Sequence, residues 1–143
     1  MHEVPLIGRS GEVLREKPRE PVLRLEREDG LPRIVARDLR TGKEEAIRFE
    51  EEAYSLGMST GYEFDTTVFR LSYSSPTTPS QVFDVDLETG ERVLRKSQEV
   101  PSGHNPEDYE TRRLFATAAD GEQVPVTLLY RKGIALDGTN PTL

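Results

Sequence analysis

From Val22 to Arg27 apolar and charged residues alternate, Leu23 and Leu25 against Arg24 and Glu26, and such alternation over a short run predicts a half-buried β-strand. Asp29-Gly30 follows as a hairpin turn, because glycine accepts positive φ without a Cβ clash and aspartate tolerates it better than most residues. A second strand is expected over Arg33 to Asp38. Leu39-Arg40-Thr41-Gly42 then reads as a type I turn closed by a left-handed glycine, with a return strand over Glu45 to Phe49. The pattern resumes downstream. Ala53-Tyr54-Ser55-Leu56 predicts the innermost strand of a second unit, Val68 to Ser74 its second, and Arg92 to Lys96 its return. Long polar loops, Gly57 to Thr66 and Ser74 to Ser80 with Pro76 and Pro79, separate these strands.

One phrase occurs twice. Arg37-Asp38-Leu39-Arg40-Thr41-Gly42 is echoed by Val85-Asp86-Leu87-Glu88-Thr89-Gly90, a period of 86 − 38 = 48 residues. Upstream, Val22-Leu23-Arg24-Leu25 answers to Val68-Phe69-Arg70-Leu71 with 68 − 22 = 46, which implies a two-residue length difference in the intervening loop. A period near 48 is that of a propeller blade. The aspartates Asp38 and Asp86 open the turns, where a carboxylate can accept backbone N–H bonds.

Beyond Val100 the pattern changes. Asn105-Pro106-Glu107-Asp108 combines an N-cap residue, proline at the first helical position and acidic residues in the first turn, so a short helical turn is expected. Leu114 to Ala118 and Val124 to Tyr130 flank Asp120-Gly121 and predict one more hairpin. At the other end, residues 1-21 are charged and interrupted by Gly8, Gly11 and Pro18, which predicts a loosely ordered arm with one short strand near Val4 to Ile7. The expected architecture is all-β: two four-stranded antiparallel propeller-type blades, unclosed, plus an extra hairpin. Residues 22-52 supply three strands of the first blade, 53-100 the second blade, and 101-143 a linker and hairpin.

Composition narrows the chemistry. The 143 residues are 34% hydrophobic and 31% charged, so the core is thin for the length. No run of eighteen apolar residues and no signal-peptide pattern occurs in the sequence, which sets membrane insertion and export aside as expectations. Zero cysteines exclude disulfides, thiol catalysis and cysteine-ligated zinc, and suit the cytoplasm. With two histidines, His2 and His104, a histidine-built metal site is not expected. A net charge of −7 disfavours nucleic acid, whose phosphates need a basic surface.

Gly57-Met58-Ser59-Thr60-Gly61 formally satisfies the G-x-S-x-G nucleophile elbow, with Asp84, Asp86 and then His104 downstream in hydrolase order. The elbow requires a helix directly after the serine, and Tyr62-Glu63-Phe64-Asp65-Thr66-Thr67-Val68 lacks helical periodicity. Ser59 is therefore expected in an inter-blade loop, and a small esterase using Ser59, Asp84 or Asp86, and His104 is kept only because the motif is formally present. His104 reads as an exposed loop residue. Asp84, Asp86 and Glu88 resemble the opening of a calcium loop, but Thr89 stands where that loop needs glycine and Arg95 where it needs glutamate. Glu50-Glu51-Glu52 reads as a solvated loop. No catalytic, cofactor-binding or metal-ligating residue is expected.

Longer stretches carry a resemblance. Leu25-Glu26-Arg27-Glu28-Asp29-Gly30-Leu31-Pro32-Arg33-Ile34, Glu51-Glu52-Ala53-Tyr54-Ser55-Leu56-Gly57 and Phe69-Arg70-Leu71-Ser72-Tyr73-Ser74-Ser75-Pro76-Thr77-Thr78-Pro79-Ser80 resemble the oligopeptidase B (protease II) branch of the prolyl oligopeptidase family of serine peptidases. Gln98 to His104, Arg113 to Ala118, Val124 to Val126 and Tyr130 to Gly133 continue it. The resemblance implies a seven-bladed propeller over an α/β-hydrolase domain that cleaves short peptides after arginine or lysine. It places this chain at the last two blades and the first hydrolase hairpin, with the serine, aspartate and histidine beyond Leu143. On that reading the chain is non-catalytic alone, and its partner is the rest of a parent oligopeptidase or a second copy meeting its open blade edges. The alternative is a free-standing β-repeat module that binds a protein or peptide.

Overall fold

The computed structural model describes residues 21–59 and 66–142. Nine strands are described: β1 (Pro21–Glu28), β2 (Leu31–Asp38), β3 (Glu44–Ile47), β4 (Ser55–Ser59), β5 (Val68–Ser74), β6 (Gln81–Asp86), β7 (Arg92–Ser97), β8 (Tyr109–Thr117) and β9 (Gln123–Arg131). Among the described residues the only helical element is a single 3-10 turn at Pro106–Asp108, with Asn105 as its N-cap, as the sequence predicts. The strands form three antiparallel sheets, β1-β2-β3, β4-β5-β6-β7 and β8-β9. The fold is thus all-β and unclosed. The first sheet takes its three strands from residues 21–47 and the second its four from residues 55–97, while the strand expected near Val4 to Ile7 lies outside the described residues.

Both copies of the repeated turn share one set of bonds. The Asp38 carboxylate accepts from the N–H groups of Arg40 and Thr41 at 2.8 and 3.1 Å. Asp86 does the same for Glu88 and Thr89 at 2.7 and 3.3 Å. Thr41 Oγ1 and Thr89 Oγ1 each accept from the residue two places on at 3.2 Å. Gly42 and Gly90 donate to Asp38 O and Asp86 O, both at 2.8 Å, at φ 72° and 73°. The closure spans four residues rather than the three of the expected type I turn, and the left-handed glycine lets the chain leave in register for the return strand.

The core lies between the first two sheets. Ile34 from β2 meets Phe69, Leu71, Tyr73 and Val85 of the second sheet, with Leu23, Ile47, Leu56, Met58 and Phe83 partly buried around them. Ile34 and Leu71 are fully excluded from solvent. Along β5 the alternation is complete: Phe69, Leu71 and Tyr73 are buried while Val68, Arg70 and Ser72 are exposed.

Pairing register corrects the strand alignment read from the sequence. Pro21 pairs with Asp38, whereas Val68 pairs with Asp86. Once the turn aspartates are matched, Pro21 corresponds to Val68, an offset of 68 − 21 = 47 rather than 46. The intervening length therefore differs by one residue, not two, and one residue reverses the face of every side chain. Leu23, on the face that meets the second sheet, then corresponds to Arg70 on that sheet's exposed face. Arg24 corresponds to the buried Leu71. This is what stacking demands, since two like-oriented sheets meet through opposite faces. The far face of the first sheet carries the charges that the sequence scattered along β1 and β2. Arg24 is bonded to Glu26 and Glu44, and Arg33 to Glu26 and Glu28. These groups are partly exposed, so solvent screens the ladder and it contributes little to stability.

The 47-residue register makes a test. Leu23→Arg should lower unfolding stability by about 1–3 kcal/mol by placing a charge in the inter-sheet core. Arg24→Leu, on the far face, should change it by less than about 1 kcal/mol. Urea denaturation of the two variants compares them, and equal losses would contradict the register.

Candidate functional site

The ends of the sheets bearing the Asp29-Gly30 turn, the β3–β4 connection and the β5–β6 loop face the third element, the β8-β9 hairpin. Asp29 and Gly30 hold φ of 50° and 80°, the left-handed pair of a type I′ turn. A Cβ placed on Gly30 would stand 3.2 Å from Arg113 Nη2 and 3.6 Å from Pro125 Cγ, so a side chain there would press on the hairpin.

Two hydrogen bonds pin the hairpin and its linker. The Arg113 N–H donates to Glu52 Oε2 at 2.6 Å. His104 Nε2 donates to the Thr77 carbonyl at 2.6 Å, and its ring stacks on Tyr109 with centroids 5.7 Å apart. The receiving loop is itself ordered: Ser75 Oγ accepts from the N–H groups of Thr77 and Thr78 at 3.1 and 2.8 Å, and Thr78 Oγ1 donates to Glu51 Oε1 at 2.5 Å. The acidic run is therefore not simply a solvated loop. Glu51, half-buried, accepts from the Thr78 hydroxyl, and Glu52, though exposed, accepts from the Arg113 amide, because the β3–β4 connection lies beside both the second sheet's loop and the hairpin. Sequence reading missed both roles, and a run of three glutamates offered no signal for them.

Below this junction the aromatic residues cluster. Phe49 stacks on Tyr73 at 4.8 Å between centroids, Tyr54 lies 5.3 Å from Phe49, and the Arg92 guanidinium covers the Phe49 ring at 4.8 Å. Burial pushes the Tyr73 hydroxyl well above its ordinary pKa, and the negative charge of Glu51 adds to the shift. An open cleft of about 350 Å³ is lined by Arg33, Arg48, Phe49, Tyr54, Arg113 and Phe115, among others.

The sequence-flagged residues are held apart. Ser59 ends the edge strand β4, opposite Arg70 in β5, rather than occupying the expected loop, because β4 runs from Ser55 to Ser59 and not from Ala53 to Leu56. Thr60 and Gly61 lie outside the described residues. His104 is bonded to Thr77, just past the end of β5 that pairs with Ser55. Four residues of strand, roughly 13 Å, separate Ser55 from Ser59. Asp84 Oδ1 accepts from Arg70 at 2.7 Å and Oδ2 from Arg95 at 2.8 Å. These two guanidiniums hold its carboxyl down at about 2. Asp86 closes its turn. Among the described residues no group of acidic or histidine side chains is placed to hold a metal ion.

A three-stranded and a four-stranded antiparallel sheet, stacked face to face and each carrying the same turn, make this a β-propeller segment. Residues 18–98 match the model of the prolyl oligopeptidase N-terminal β-propeller domain, and the chain belongs to the prolyl oligopeptidase family. It is 41% identical over 112 residues to dipeptidyl aminopeptidase BI of Pseudoxanthomonas mexicana, covering 78% of this chain and 15% of that protein. It is 29% identical to protease 2 of Moraxella lacunata, covering 87% and 18%. Oligopeptidase B of Trypanosoma brucei superposes with a TM-score of 0.75 at 32% identity, over 85% of this chain and 18% of that one. The chain thus spans less than a fifth of these relatives.

Two outcomes follow from the geometry. Because the folded-state pKa of Asp84 is depressed, its stabilising effect is complete above the ordinary value near 3.8 and is lost as pH falls through about 2. A carboxyl carbon NMR titration should therefore give Asp84 a midpoint near 2, and Arg70→Gln should raise it. Glu52→Ala should free the hairpin: amide exchange at Arg113 should accelerate at least tenfold while Leu71 stays protected, as hydrogen-exchange NMR would show.

Proposed function

We propose that this chain is the closing part of the propeller of a serine oligopeptidase, that its last two blades lead into the first hairpin of the hydrolase domain, and that it is non-catalytic by itself. The match of residues 18–98 to the family's propeller domain carries this reading. The hairpin supports it: β8-β9 is a separate sheet with Leu114, Val124 and Val126 exposed on one face, as expected of strands that pack against more polypeptide. The engagement of Ser59, Asp84, Asp86 and His104 in sheet and loop structure supports inactivity. In the parent enzyme the propeller would wall off the active site and select short peptides, cut after arginine or lysine. The partner is then the remainder of that enzyme, with self-association through open edges in its absence. The compartment is the cytoplasm, on the strength of a cysteine-free composition.

The purified chain, given a chromogenic peptide with arginine before the scissile bond, should show no turnover above the buffer blank, and Ser59→Ala should leave that result unchanged. Turnover abolished by Ser59→Ala would overturn the proposal.

A further inference from the structure

Arginines on the far faces of the two sheets are met by carboxylates, Arg24 and Arg33 by Glu26, Glu28 and Glu44, Arg70 and Arg95 by Asp84. Two arginines at the junction differ. At Arg48, just past β3, the carbonyl accepts from Arg92 at 2.8 Å, and the guanidinium pairs with no carboxylate among the described residues. Arg113 in β8 gives its main-chain N–H to Glu52, while its guanidinium lies over the Phe115 ring at 5.5 Å and likewise pairs with no carboxylate. Acidic residues outnumber basic ones by 26 to 19 along the chain, so two such cations beside each other are not a consequence of composition.

Both line one cleft of about 350 Å³, between the Asp29-Gly30 turn, the end of β3 and the hairpin. Ile47, Phe49, Tyr54 and Phe115 give it apolar walls. Of the two acidic residues that line it, Glu28 is bonded to Arg33 and Asp29 forms the turn. The stack on Phe115 holds the plane of the Arg113 guanidinium and leaves its N–H edge for an oxyanion, which a planar fork meets with two bonds. The propeller segment supplies one wall and the hairpin the other, so the cleft is formed by described residues throughout. Alternation along β8 puts Arg113 and Phe115 on one face of the hairpin, and Leu114, with Val126 opposite, on the other. Polypeptide packed on that apolar face lies on the side away from the cleft.

We propose that this cleft binds a small organic anion, a carboxylate carried on an apolar body. The carboxylate sits between the Arg48 and Arg113 guanidiniums, and the body lies against Phe49, Tyr54 and Phe115. A volume of about 350 Å³ falls at the small end of ligand pockets, which suits one or two amino-acid residues. The carboxyl end of a peptide with an apolar last residue has this chemistry. Because Arg48 belongs to the propeller segment and Arg113 to the hairpin, the bound anion bridges the two. This goes beyond the proposed function, since the site is complete in the chain itself and needs no catalytic residue.

The probe is N-acetylphenylalanine, titrated at neutral pH into the full 143-residue chain and followed by NMR. Its control is the corresponding amide, which keeps the ring and loses the charge. The acid should bind saturably with a Kd of about 1 mM or tighter, shift the Arg48 and Arg113 side-chain N–H signals, and give intermolecular NOEs to the Phe49 and Phe115 rings. The amide should bind at least tenfold more weakly. Arg48→Gln and Arg113→Gln should each weaken binding of the acid at least tenfold while the Leu71 amide stays protected from exchange, which separates lost affinity from lost fold. Lys96→Gln, on β7, should leave binding unchanged. Equal affinity for acid and amide would reveal an apolar patch without an anion site and overturn the proposal. Shifts that never saturate, or a loss on Lys96→Gln as large as those at the arginines, would mean general charge attraction and also overturn it. The peptidase assay reads none of these signals, so either proposal can fail without the other.

Discussion

Two twisted sheets of the same orientation can stack only through unlike faces, and this constraint organises the chain. The face that β2 turns inward holds Ile34, and the facing side of the second sheet holds Phe69, Leu71, Tyr73 and Val85. Each sheet must therefore carry two different surfaces, one for each neighbour it could have. The charges of Arg24, Glu26, Arg33 and Glu44 lie on the far face of the first sheet, and Arg70, Asp84 and Arg95 on the far face of the second. With polar outer faces the pair remains compatible with water while the hydrophobic effect is concentrated in one interface.

The hairpin is joined differently. It contributes none of the buried core and is held by single bonds, Arg113 to Glu52 and His104 to Thr77. An attachment made by a few hydrogen bonds opens at a lower free energy than a packed core. The junction between the propeller segment and the hairpin is thus the compliant part of the described structure, and the inter-sheet core is the rigid part.

Much of this was legible in the residues. Asp29-Gly30, Asp38 to Gly42 and Asp86 to Gly90 specify their turns through local chemistry alone, and the strand expected over Val68 to Ser74 coincides with β5. The limits of β4 were not legible, because Leu56-Gly57-Met58 is short and its glycine reads as a loop; only pairing with Ser72 and its neighbours keeps it extended. The triad candidates looked contiguous in sequence order, yet β4 carries Ser59 to one end of the sheet while the linker brings His104 to the other. The work of Glu51 and Glu52 was hidden for a similar reason, since their partners, Thr78 and Arg113, lie 27 and 61 residues away.

The all-β class, the positions of the turns and the family to which the chain belongs are written in the residues alone, because turn residues and alternating patterns act over a few neighbouring positions. Tertiary structure alone decided which face of β1 is inside. Val22-Leu23-Arg24-Leu25 and Val68-Phe69-Arg70-Leu71 look interchangeable as words, but cross-strand pairing sets them one residue out of phase. A period-two pattern marks two faces without saying which neighbour each will meet, and that choice is made only when the sheets stack.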